Sequence, residues 1–131
     1  MKFVIILISL FLLLACKKDK PQEDTAITLQ KKWTLEKYST KDYDANGTLT
    51  ATNPGLTYGE TYDFQANNIV YIYSGYTRYT RTSPYTLFGD SVSFDGYTYA
   101  IKNLMSKSAT LITRQNTAGG NYFERIYDLK R

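Results

Sequence analysis

Apolar residues are distributed along this chain in two different ways. From Phe3 to Ala15 they run almost without a break, interrupted only by Ser9. From Trp33 onward they alternate with polar residues, the period that puts successive side chains on opposite faces of a strand. Trp33 and Leu35 alternate with Thr34 and Glu36, Tyr62 and Phe64 with Thr61 and Asp63, and Val92 and Phe94 with Ser91 and Ser93. Tyr97, Tyr99 and Ile101 alternate with Thr98, Ala100 and Lys102, and the last run sets Phe123, Arg125, Tyr127 and Leu129 against Glu124, Asp128 and Lys130. Asn46 with Gly47 suits a tight hairpin turn, and Asn53-Pro54-Gly55, Asn67-Asn68, Ser74-Gly75, Gly89-Asp90, Asp95-Gly96 and Gly119-Gly120 punctuate the rest. The pattern predicts strands near 32–39, 58–65, 68–74, 76–83, 84–88, 91–95, 97–102, 107–114 and 121–130. Residues 27–31 are expected to form a short helix capped by Thr28. Many short strands at hairpin spacing imply an antiparallel all-β meander, whose edges are removed by closure into an up-and-down barrel of about eight strands.

The first apolar run has a separate meaning. It spans only about 20 Å as a helix, against roughly 30 Å of bilayer hydrocarbon, so it is too short to cross a membrane. Lys2 precedes it, and Leu13, Leu14, Ala15 and Cys16 end it, followed by Lys17 and Lys18. A basic start, an apolar stretch, a small residue and then the chain's only cysteine read as a cleaved secretory signal. The last four residues resemble the lipobox of bacterial lipoproteins, in which the cysteine is acylated and becomes the mature terminus. The expected division is a signal peptide at 1–15, a lipidated Cys16 with a flexible polar linker at 16–26, and the barrel domain at 27–131. The partner so implied is a membrane, reached through acyl chains (palmitate-type) at Cys16. The expected place is the cell envelope, as an outer-membrane lipoprotein facing the periplasm or the surface.

Composition narrows the chemistry. The chain has no histidine, and its one thiol is assigned to the anchor. Imidazole or thiolate ligation of a metal and His-dependent nucleophilic catalysis are therefore excluded from the domain. No phosphate-cradling glycine loop is present. Asp42, Asp44 and Asn46 make an Asp-x-Asp-x-Asn-Gly run similar to the start of a calcium loop, but the required later glutamate is missing. No cofactor, no metal and no catalytic residue is expected. The net charge of +4 includes Lys2, and no basic stripe remains, so nucleic acid is not an expected partner. Asp24-Thr25-Ala26 and Asp90-Ser91-Val92 resemble a short O-glycosylation sequence of Bacteroidota, with Thr25 the better-exposed candidate on a linker.

The aromatic strands carry a resemblance of their own. The opening Leu29-Gln30-Lys31-Lys32-Trp33-Thr34-Leu35, the strand Tyr62-Asp63-Phe64, the Tyr85 to Ile101 series and the closing Tyr127-Asp128-Leu129-Lys130-Arg131 resemble the small lipocalin-like lipoproteins of Bacteroidota. The resemblance implies a lipocalin-like barrel in which a last-strand arginine packs across the first-strand tryptophan. Trp33 matches the tryptophan, Lys31 stands where lipocalins have glycine, and Arg125 is the natural partner, with Arg131 the alternative.

Tyrosine is the one unusual enrichment, 13 of 131 residues. Rings that carry hydroxyls suit either cross-strand packing or a cavity for an amphipathic molecule. Tyr62, Tyr71, Tyr73, Tyr85, Tyr97, Tyr99 and Tyr127 are the candidate ligand-binding residues. Two functions follow: a non-enzymatic envelope barrel that binds a small hydrophobic or amphipathic molecule, or a solid module that meets a protein or glycan through its outer face. Outward rings such as Tyr79 belong to the second.

Overall fold

The structure, a computed structural model, describes residues 22–131, with side chains from residue 25 onward. The signal peptide, Cys16 and residues 17–21 lie outside the described residues. Helix α1 (Gln22–Leu29) leads into nine strands: β1 (Lys32–Tyr43), β2 (Leu49–Pro54), β3 (Thr61–Phe64), β4 (Ile69–Ser74), β5 (Tyr79–Phe88), β6 (Ser91–Phe94), β7 (Tyr97–Lys102), β8 (Ser108–Asn116) and β9 (Tyr122–Lys130). All neighbours are antiparallel, and β9 returns to pair with β1, so eight strands close into a barrel and β2 is one strand more. The all-β barrel expected from the alternation is the observed fold.

Strand β1 explains how the extra strand fits. Its 12 residues serve two partners on one edge: Lys32, Trp33 and Thr34 pair with β3, and residues 39–43 pair with β2. Its other edge follows β9 from Thr34 to Tyr43. The register shifts between Leu35 and Lys37, so Glu36 is an extra, bulged residue. A bulge reverses which parity faces inward. Trp33 and Leu35 point in before it, and Tyr38, Thr40 and Asp42 share the inner face after it, opposite Tyr127, Arg125 and Phe123.

Three sequence expectations need correction. The helix begins at Gln22 and covers part of the expected linker; Thr25 and Leu29, one turn apart, are both buried. Strand β2 was not foreseen, because Leu49–Pro54 is exposed at nearly every position and has no apolar face. Strand β5 runs unbroken through Pro84 instead of dividing at 83/84. Pro84 lies opposite Ile69, the first residue of β4, and beyond the last paired residue of β6, so its missing N–H falls at a ladder margin.

The core occupies one end of the barrel. Trp33, Phe64, Leu29, Leu111, Leu129, Val70 and Val92 are the largest fully buried side chains. An eight-strand barrel is just wide enough for side chains to fill it, and here they do so at the end that α1 covers. Leu29 caps this floor, and the Trp33 indole N–H donates to the Leu29 carbonyl at 2.9 Å, tying the helix end to β1. Tyr85 also belongs to the floor, with its hydroxyl donating to the Gln65 carbonyl at 2.7 Å and its ring edge-on to Phe64.

Candidate functional site

Toward the opposite end the inward positions change character. Above Leu35 comes Tyr38, above Phe64 comes Tyr62, above Ile101 come Tyr99 and Tyr97, and above Leu129 come Tyr127 and Arg125. Their rings touch in sequence: Tyr38 to Tyr127 at 5.1 Å, Tyr127 to Tyr99 at 5.7 Å, Tyr99 to Tyr97 at 6.3 Å and Tyr99 to Phe94 at 4.6 Å, with Tyr62 edge-on to Phe94 at 6.1 Å. The result is a collar of tyrosines over an aliphatic floor. Tyr99 is buried, Tyr38, Tyr62 and Tyr127 are half-buried, and Tyr97 is exposed at the rim. Burial, reinforced by Tyr127, holds the Tyr62 and Tyr99 hydroxyls well above the usual tyrosine range. Tyr127 is raised too, by burial and then Tyr38, with Arg125 pulling the other way. These hydroxyls are neutral donors and acceptors at ordinary pH.

Two arginines stand at the collar. Arg81, opposite Ile72 in β5, forms an ion pair with Asp95 in the β6–β7 turn at 2.6 Å. Arg125 is half-buried in the cross-strand row Thr40, Arg125, Thr113, and Thr113 is itself buried. Its guanidinium carbon lies 5.3 Å from the Phe123 ring centre and 5.9 Å from that of Tyr97. Burial works against its charge, but a hydrogen bond to Tyr97, together with Tyr127 and Tyr38, outweighs it and the net shift is upward. Among the described residues no carboxylate lies within ion-pair distance of it.

A strap flanks the collar. Residues 55–60 leave β2 beside Tyr38, where the Gly55 N–H donates to the Tyr38 carbonyl, and rejoin β1 where the Leu35 N–H donates to the Glu60 carbonyl, both at 2.9 Å. Two glycines permit this path. A Cβ on Gly55 would sit 2.1 Å from the Tyr38 ring, and one on Gly75 would sit 1.5 Å from the Tyr58 carbonyl oxygen. Tyr58 also packs on Tyr76 at 5.3 Å.

The structure therefore divides the predicted ligand residues. Tyr62, Tyr97, Tyr99 and Tyr127 come together in the collar, and Tyr85 faces inward but is consumed by the floor. Tyr71 and Tyr73 face outward, opposite Asp63 and Thr61, because Val70 and Ile72 take the inner positions of β4. With Lys32, Thr61, Asp63 and Thr80 they line a surface depression of about 320 Å³. Tyr38 and Arg81 were missed. Tyr38 lies beyond the bulge, which no residue type announces, and Arg81 sits on a strand whose inner row is mostly polar.

The expected Trp33–Arg125 pair is corrected. Arg125 lies opposite Thr40, far along β1 from Trp33, and the cation over the indole is Arg131 at 5.8 Å. The C-terminal residue reaches back to the floor because Leu129 pairs with Leu35, and its backbone N–H donates to the Lys107 carbonyl. Thr25 is 8% exposed within α1, so it is not the accessible linker hydroxyl that glycosylation requires. It lines, with Thr28, Asp90 and residues 101–104, a depression of about 390 Å³ beside the floor. The calcium-like run is used as a turn: the Asp44 carboxylate accepts from the Asn46 and Thr48 N–H groups at 2.9 and 2.8 Å, and Asp42 accepts from the Asn53 amide. Among the described residues no three His, Cys, Asp or Glu side chains converge as a metal site would require. No protein-family model matches the chain, and no curated protein matches it significantly.

Proposed function

We propose that this protein is a non-enzymatic, lipid-anchored barrel of the bacterial cell envelope that holds a small amphipathic molecule at its collar. The observation that carries the reading is the change along the barrel axis, from a filled aliphatic floor to a collar of tyrosine rings with neutral hydroxyls. Rings offer flat apolar area, and hydroxyls orient a polar end without the cost of burying charge. The filled floor limits depth, so the ligand is shallow-seated and short or folded. The apolar run before Cys16 supports tethering, and the lack of histidine supports binding over catalysis.

Native mass spectrometry of the full chain purified from its own host tests this. A small molecule should travel with the wild-type protein and be lost when Tyr38 and Tyr127 are changed to alanine. A wild-type mass that is always polypeptide plus acyl groups would overturn the reading.

A second reading rests on a different observation. The outward Tyr71 and Tyr73, with Lys32 and Asp63 in cross-strand register yet not ion-paired, present rings and free polar groups around one depression. That surface would serve an interaction module for glycan or protein. Loss of partner capture in Tyr71→Ala with an unaltered collar would favour it.

A further inference from the structure

We infer that the molecule held at the collar is an anionic amphiphile, with its carboxylate, sulfonate or phosphate received by Arg125. The inference rests on the collar reading and adds the charge of the ligand.

Three observations lead to it. First, the ion pairs of the described residues leave Arg125 aside: Arg81 is matched by Asp95, and Lys130 by Glu36. The nearby acids are engaged elsewhere. Asp42 accepts from Asn53, and Glu124, on the opposite face of β9, from the Tyr43 hydroxyl. Second, the guanidinium is held from the sides. Phe123 and Tyr97 lie within cation–π range, and side-chain hydrogen bonds to Tyr97 and Tyr127 hold the cation further, engaging two partners of a group with five N–H donors and leaving others for a ligand. Third, its surroundings suit a carboxylate-like oxygen pair. Thr40 and Thr113 flank it on the same inner face, and the Tyr127 ring links it to the apolar collar. A guanidinium binds a pair of oxygens of a carboxylate, sulfonate or phosphate through two parallel hydrogen bonds, a geometry that a neutral alcohol cannot match. The apolar body of the same molecule would lie across Tyr38, Tyr99 and Tyr127.

A matched pair of fluorescent probes separates the charge from the apolar body: anilinonaphthalene sulfonate and its uncharged parent, phenylnaphthylamine. Both are titrated into the full chain carried in nanodiscs of zwitterionic phospholipid, with empty nanodiscs as reference. The sulfonate is expected to bind about tenfold tighter than the neutral probe, the scale of one charge-assisted hydrogen bond. Arg125→Gln should remove that preference, read as the ratio of the two probes' affinities in the same variant, while Arg125→Lys should recover part of it. Raising the salt concentration with the wild-type chain should weaken only the sulfonate, which keeps the test decisive if Arg125→Gln does not fold. Equal affinity of the two probes, insensitive to Arg125 and to salt, overturns the inference and leaves the collar reading standing. Failure of both probes to exceed empty nanodiscs overturns the collar reading and the inference with it.

Discussion

Gly75 shows how a single residue position holds the rim of the barrel in place. Its φ is not in the left-handed region, so space alone demands glycine there. The obstacle to a Cβ is the Tyr58 backbone carbonyl, which cannot rotate aside as a side chain would. Gly75→Ala is therefore expected to push residues 55–60 off the rim and destabilise the fold by about 1–3 kcal/mol, the range for overpacking. Hydrogen exchange reads the effect locally: the Gly55 and Leu35 amides, which bond at the two ends of the strap, should lose more protection than the Leu111 amide of the floor. Unchanged exchange at Gly55 would show that the strap does not depend on this contact. The same scale explains the arginine exchange at the floor. Arg125 and Arg131 are both basic residues of the closing segment, and only the register of β9 against β1 decides that the second reaches Trp33.

At the scale of elements, the bulge in β1 sets which residues of that strand face the collar. Glu36 is exposed, and its ion pair with Lys130 joins two side chains that are each more than half exposed. Such a pair contributes at most about 1 kcal/mol, so Glu36→Ala should leave the thermal midpoint almost unchanged. Deleting Glu36 is a different matter. It removes the extra residue, so Trp33, Leu35 and Tyr38 fall in strict alternation on the inner face while β9 keeps its register. The deletion variant should therefore still unfold cooperatively, as followed by circular dichroism, and a variant that does not fold would show that the bend made by the bulge is itself required. This element also marks the limit of what alternation reveals. The floor was legible because Trp33, Leu35, Phe64, Val92 and Leu129 sit on clean period-two runs bounded by turns. The collar was half legible. Tyr62, Tyr97, Tyr99 and Tyr127 continue those runs, but Tyr38 lies past a parity change that has no residue signature. Tyr71 and Tyr73 were misplaced because residues 69–73 are apolar or aromatic at every position, so neither face of β4 declares itself. Packing against Phe64 and Tyr62 then favours the aliphatic side chains inside.

For the molecule as a whole, the division into apolar floor and tyrosine collar sets the direction of its pH response. Among the described residues the buried polar side chains are Thr25, Ser83 and Thr113, so no carboxylate has to be protonated out of the interior at low pH. The shifted interior groups are tyrosines, and they point to the alkaline side. Tyr62 and Tyr99 have hydroxyls raised well above the ordinary value of 10.0, chiefly by burial. Below that value both folded and unfolded chains keep the proton, and the contribution of the neutral collar is fully present. Above it the unfolded chain ionises while the folded chain does not, so the unfolded state gains and stability falls as pH rises toward the folded values. The slope for one such group approaches about 1.4 kcal/mol per pH unit as a limit. Urea unfolding followed from about pH 7 to about pH 12 should show a plateau and then a decline setting in near the ordinary tyrosine value. Phenolate absorbance should show these hydroxyls ionising together with the loss of tertiary structure. Tyr62→Phe supplies the decisive comparison, because it keeps the ring against Phe94 and removes the proton. That variant should decline less steeply than the wild-type protein above the plateau. If its alkaline profile is identical to that of the wild-type chain, the collar hydroxyl is not held in its neutral form by the fold, and the polar, uncharged character assigned to the collar is wrong.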